Sequence, residues 1–222
     1  MSGQQIPSGT PPTPEAARGA FPSERLALAE RYVELLATAG VERGLIGPRE
    51  APRLWERHVF NCLALASVVP ESATLADLGS GAGLPGLALA VARPDLRVTL
   101  VEPLLRRTTF LEEVVGELGL DGVEVVRARA EELHGSRLFD VVTARALAPL
   151  ERLLGWAWPL VAPEGALLAM KGSSAAEEIA SARTRLRTLR CPEPEVLELS
   201  TPDDASTATV VRVARGIRAR LG

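Results

Sequence analysis

Four glycines, Gly79, Gly81, Gly83 and Gly86, fall within eight residues between the apolar run Thr74-Leu75-Ala76 and the helical run Leu87 to Ala92. Glycine at a strand-to-helix turn accepts positive φ and lets backbone approach a ligand with no Cβ in the way. A nucleotide-like group suits such a turn. Gly81-Ala82-Gly83-Leu84-Pro85-Gly86 satisfies GxGxxG, so a dinucleotide is one reading. Asp77 and Gly79 favour another, because a carboxylate at the strand end repels a pyrophosphate and suits a cationic or hydroxyl-bearing ligand such as S-adenosylmethionine (SAM). A purely structural turn seldom uses four glycines.

Further polar residues collect where the following strands end. Glu102 closes the second strand 23 residues after Gly79, where an acid accepts hydrogen bonds from ribose hydroxyls in open α/β sheets. Arg129-Ala130-Glu131-Glu132 follows the third strand and is expected on the adenine side of the same crevice. Arg145 ends the fourth strand, and Lys171, the only lysine among 25 basic residues, ends the fifth. Two cations on adjacent strand ends read as a clamp for a carboxylate or phosphate. The place after the fourth strand reads Ala144-Arg145-Ala146-Leu147-Ala148-Pro149, which lacks the Asn/Asp-Pro-Pro-aromatic loop of exocyclic-amine methylation. Neither Cys62 nor Cys191 is expected near it as a nucleophile for a ring carbon. A substrate atom that is already nucleophilic remains, and N7 of guanine fits.

These residues need a scaffold. At 222 residues the chain holds one α/β domain plus an extension, and the net charge of −3 leaves room for a local basic patch. No apolar run approaches the roughly 18 residues of a membrane span, and Met1 to Ala20 lacks a signal-peptide core, so a cytoplasmic protein is expected. The two cysteines suggest neither a disulfide nor a metal site.

Residues 1–22, rich in Pro, Gly, Ser and Thr, read as a flexible tail. Residues 23–69 read as a helical extension: one helix starts at Ser23 as N-cap and ends at Gly40, and a second starts near Pro52 and runs to about Val69. Residues 70–222 alternate strands and helices. Strands are expected near Thr74–Leu78, Arg97–Glu102, Val123–Arg127, Phe139–Thr143, Ala166–Met170, Glu195–Leu199 and Ala208–Val213. Helices are expected near Gly86–Ala92, Leu104–Leu118, Leu150–Trp158 and Ala175–Leu189, with a turn at Glu131–His134. Ser200–Ser206 is too short for a parallel crossover, so the last pair should be antiparallel. The expected fold is α/β, a Rossmann-like seven-stranded sheet of the SAM-dependent methyltransferase kind with an antiparallel last strand.

Arg57-His58, Asp77 to Gly86, Phe110-Leu111, Arg129-Ala130-Glu131, Phe139-Asp140, Ala144-Arg145-Ala146 and Lys171-Gly172 together resemble the RsmG (GidB) family over roughly Ser23 to Val213. The resemblance implies a cytoplasmic, SAM-dependent enzyme that methylates a guanine at N7 in 16S ribosomal RNA. It further implies that Gly79, Leu84, Ala130, Glu131 and Arg145 bind SAM, joined in the residue reading by Asp77, Gly81, Gly83 and Glu102. Arg145 and Lys171 are the candidate catalytic residues; Arg53, Arg57, His58, Arg106 and Arg107 are the candidate RNA contacts. The expected partner is 16S ribosomal RNA in the small subunit or an assembly intermediate, and the enzyme is expected to be a monomer that needs no metal. Two positions depart from the family: Asn61 stands where Asp is usual, and Gly44-Leu45-Ile46 replaces Asn-Leu-Thr. A small-molecule methyltransferase and a non-catalytic SAM- or RNA-binding module remain as alternatives.

Overall fold

The structure, a computed structural model, describes residues 9–216. Strands β1 (Thr74–Leu78), β2 (Arg97–Val101), β3 (Val123–Val126), β4 (Phe139–Arg145), β5 (Val161–Lys171), β6 (Glu195–Ser200) and β7 (Thr207–Ala214) form one sheet in the order β3-β2-β1-β4-β5-β7-β6. The first five run parallel, and β7 is antiparallel to both of its neighbours, β5 and β6. The short Ser200–Ser206 link closes a hairpin, as its length requires.

The central strands are buried on both faces, which is why they read as continuous apolar runs. Leu75 of β1, Val141 of β4 and Ala166, Leu168 and Met170 of β5 belong to one core cluster; Ala76, Leu78, Val142, Ala144, Leu167 and Ala169 belong to the other. Side chains alternate along a strand. Arg145 therefore continues the Val141 face, whereas Lys171 continues the Leu167 face.

The first face is covered by α1 (Glu15–Ala20), α2 (Leu26–Leu35), α3 (Asn61–Leu63), α4 (Gly86–Ala92) and α5 (Leu105–Leu118); α6 (Leu150–Ala157), α7 (Ala175–Ser181) and α8 (Arg183–Thr188) cover the second. The expected tail is shorter than its composition suggests. Ala17 and Phe21 are buried, and Phe21 meets Trp55 edge-on at 6.3 Å between ring centroids. A tertiary partner orders this segment, a contact that local composition does not reveal; residues 1–8 of the expected tail lie outside the described residues.

Ser23 does not cap α2. Its hydroxyl donates to Glu24, and the cap position is Arg25, whose guanidinium donates to the carbonyls of Ala90 and Val91 at the end of α4. The second helix runs as a 3-10 turn (Ala51–Arg53), a π segment (Leu54–Phe60), α3 and a 3-10 turn (Ala64–Ser67). Such π segments recur at functional sites. The single helix expected over Ala175–Leu189 is broken at Ala182, whose N–H is shared between the carbonyls of Glu178 and Ile179.

Candidate active site

The glycine turn lies where β1 meets α4. Gly79 has φ +68°, and a Cβ there would overlap Leu147 Cδ1. Its N–H donates to Val101 at 2.8 Å, which ties the turn to β2. Gly86 must lack a side chain for another reason: a Cβ would meet Leu100 and come within 2.9 Å of the Asp77 carboxylate. Above Gly81, by contrast, a Cβ would meet only the Gly79 carbonyl, at 3.8 Å. Gly83 also holds positive φ, and Leu84 is half-buried against the first core. From α2, the buried Tyr32 hydroxyl donates to the Ala82 carbonyl at 3.0 Å. That support was not identified from the sequence, since Tyr32 shows there only as one residue of a helix.

Asp77 is fully buried, and one carboxylate oxygen accepts the first N–H of α4, from Gly86, at 3.0 Å. The other has no partner. Burial pushes its pKa up to about 7, against the opposing Gly86 hydrogen bond and the Arg145 charge. Glu102 is also buried, and its carboxylate accepts from the N–H of Gly81 and of Leu104, both at 3.1 Å, and from Arg107 at 3.4 Å. Backbone donors thus fix its orientation beside the turn.

Gly79, Ala130 and Glu131 line one cavity of about 120 Å³ together with Val101, Leu147 and Trp156. The 3-10 turn Ala130–Leu133 brings Ala130 and Glu131 there, and the Glu132 carboxylate accepts the Arg129 N–H at 2.8 Å. The parts fit SAM: an open approach over Gly81, an oriented carboxylate for hydroxyls, and an apolar slot for a ring. The slot is small against the roughly 300 Å³ of small-molecule sites. Leu147 fills the ground over Gly79. Leu147 and Trp156 were missed in the sequence, where nothing local marks them.

A second cavity, about 480 Å³, is lined by Asn61, Arg145, Leu147, Lys171 and Glu178 at the ends of β4 and β5. Both expected cations reach it, but from opposite faces of the sheet and already engaged. Lys171 donates to the Ala148 carbonyl at 2.6 Å and pairs with Glu178 at 2.7 Å, and Glu178 accepts the Leu150 N–H. It braces the β4–α6 loop. Arg145 donates to the carbonyls of Arg57 and His58, to Cys62 Sγ at 3.1 Å and to His58 Nδ1 at 2.7 Å. An empty clamp built from the two is therefore not what the strand ends form.

Cys62 corrects a further expectation. It does lie beside the end of β4, because the extension folds back over that strand. It is fully buried, and burial pushes the thiol pKa up despite Arg145. A neutral, enclosed thiol is a poor nucleophile. Cys191 is also a free thiol.

Among the candidate RNA contacts, Arg53, Arg57 and Arg106 are exposed, Arg107 is half-exposed beside Glu102, and Arg57 also bonds Glu50 at 3.2 Å. His58 is mostly enclosed between Glu50 and Arg145. Leu104 and Leu105 stand exposed next to Arg106. Among the described residues no helix is long and apolar enough to cross a membrane.

This sheet order, with a glycine turn after β1 and an acid after β2, defines a Rossmann-like methyltransferase. Solved structures bear out the fold: a methyltransferase from Pyrococcus furiosus aligns with TM-score 0.54 at 15% identity, covering 70% of this chain and 81% of that one. A SAM-dependent methyltransferase from Aquifex aeolicus aligns with TM-score 0.52 at 19% identity, covering 73% and 92%. Residues 25–206 match the model of the GidB family, described as rRNA small subunit methyltransferase G, and the chain belongs to that family. The ribosomal RNA small subunit methyltransferase G of a Nocardioides species is 68% identical over 204 residues, covering 92% of this chain and 82% of the relative. That of Streptomyces avermitilis is 58% identical over 207 residues, covering 93% and 87%.

Proposed function

We propose that the protein transfers a methyl group from SAM to N7 of a guanine in 16S ribosomal RNA, acting in the cytoplasm as a monomer on the small subunit or an assembly intermediate. The observation that carries this reading is the pair of cavities at the carboxyl ends of the strands, one on the glycine turn and one at β4 and β5, which share Leu147 as a wall. A donor and an acceptor held on either side of one side chain can be brought into line. SAM supplies, when bound, a methyl group activated on a sulfonium. Gly79, Gly81, Glu102, Ala130 and Glu131 hold and orient it.

N7 of guanine presents a lone pair and needs no base to activate it. Catalysis then rests on proximity and orientation. The enclosed Cys62 fits this route better than one through a covalent adduct. Exposed Arg53, Arg57 and Arg106 supply phosphate contacts or stacking surfaces for an unpaired base. The test is mass mapping of methylated guanines after small subunits from a strain lacking this gene are incubated with the protein and SAM. One new N7-methylguanine is expected; a methyl group on any other atom overturns the reading.

A further inference from the structure

Arg145 carries four of its contacts to the helix above it, and one of them constrains a proton. A guanidinium has donors only and stays charged. The 2.7 Å contact between Arg145 Nη2 and His58 Nδ1 therefore requires a bare Nδ1. The imidazole proton then sits on Nε2, where Glu50 Oε2 accepts it at 3.0 Å. A carboxylate, an imidazole and a guanidinium form one chain with a single direction. We propose that Glu50 and His58 are positioning residues for methyl transfer: Glu50 fixes the His58 tautomer, and the bare Nδ1 of His58 holds Arg145 in the wall of the cavity at the ends of β4 and β5.

The chain joins the N-terminal extension to the sheet. Glu50 precedes the 3-10 turn, His58 sits in the π segment, and Arg145 ends β4. The charged groups that act on His58 are Arg57 from its own π segment, Glu50 from before the 3-10 turn and Arg145 from the sheet; Arg53 acts on Glu50, and Cys62 of α3 accepts from Arg145. Burial and then Arg145 push the imidazole pKa down, and Glu50 opposes them. Protonation of His58 fills the acceptor site and sets a second cation against Arg145. The guanidinium must then leave Nδ1. Arg145 lines the larger cavity with Asn61 and Lys171, so its displacement disturbs the ground where the acceptor base would rest.

The kinetic part of this proposal rests on the methyl transfer proposed above; the structural part does not. Nitrogen-15 NMR of the whole protein reads His58 and His134, the only two histidines. His58 is expected as the Nε2–H tautomer with a pKa below its ordinary value, rising in Arg145→Gln. An Nδ1–H tautomer, or a pKa unmoved by Arg145→Gln, overturns the chain of contacts. Initial rates on small subunits between about pH 5.5 and 8.5 then test its role. The kcat of the unaltered protein is expected to fall on the acid side. Glu50→Gln should move that limb to lower pH, because the carboxylate that favours imidazolium is gone, and His58→Gln should flatten it. His58→Ala should lower kcat at neutral pH by about a hundredfold, the scale of a small misplacement, with part recovered in His58→Gln. Equal kcat for His58→Ala and the unaltered protein, or an acid limb unmoved by Glu50→Gln, overturns the positioning role. If the unaltered protein methylates no small subunit, the substrate reading fails while the NMR result still decides the contacts.

Discussion

Two carboxylates, Asp77 and Glu102, meet the glycine turn. Asp77 is held fully buried with its pKa near 7, so the folded chain binds that proton more readily than the unfolded chain, where the ordinary value is 3.8. Its contribution favours folding at low pH and is lost as pH rises through about 7. Asp77→Asn removes this dependence. The melting temperature of the variant minus that of the unaltered protein should therefore rise between about pH 4 and 7 and level off above, and a constant difference over that range in thermal scans would show that Asp77 does not titrate there. Gly81 makes a different prediction. Its open surroundings let Gly81→Val fold at a cost of roughly 1–2 kcal/mol for the left-handed backbone, but the new side chain stands in the proposed approach of SAM. Calorimetry should find a folded protein with no measurable SAM affinity. Lys171→Ala strands Glu178 and the Ala148 carbonyl in a largely enclosed pair, which costs about 3 kcal/mol. Urea unfolding should report that loss, with part regained when Glu178→Gln is added.

At the scale of elements, the central strands were legible because burial on both faces leaves an apolar run whatever surrounds it. Thr74–Leu78 and the helix Gly86–Ala92 fall as expected for that reason. The breaks were not legible. Ala182 interrupts a helix without a proline or glycine to mark it, and the π segment Leu54–Phe60 has the apolar content of an ordinary helix. The glycine turn was legible from residue type, since positive φ at Gly79 and crowding at Gly86 exclude side chains. What lies over it was not: Leu147 and Tyr32 arrive from distant segments. The opposite facing of Arg145 and Lys171 was available in principle, from counting alternate residues along β4 and β5. The docking of the extension yields its own test. Arg145→Ala removes the donors that bind the carbonyls of Arg57 and His58, so amide exchange across residues 57–62 should speed up at least tenfold while the central strands keep their protection. Unchanged exchange would assign the docking to apolar packing alone.

For the whole molecule, a net charge of −3 coexists with exposed Arg53, Arg57 and Arg106 near the ligand edge. RNA binding should weaken with salt, and the double variant Arg53→Gln, Arg57→Gln should lower the slope of log affinity against log salt by about 1 to 2, the share of two phosphates. SAM affinity should not follow. An unchanged slope would move the RNA surface elsewhere. The shared wall at Leu147 has a thermodynamic consequence. Ala146 holds positive φ beside it, and Lys171 and Glu178 fasten the loop on its other side. A cofactor that pushes Leu147 off Gly79 must reshape the neighbouring cavity as well, so the two ligands cannot bind independently. Binding free energies are path-independent, and the factor by which SAM alters RNA affinity must equal the factor by which RNA alters SAM affinity. Titrating each ligand with and without the other should return one coupling constant, and Leu147→Ala, which removes the wall from both rooms at once, should bring it close to one.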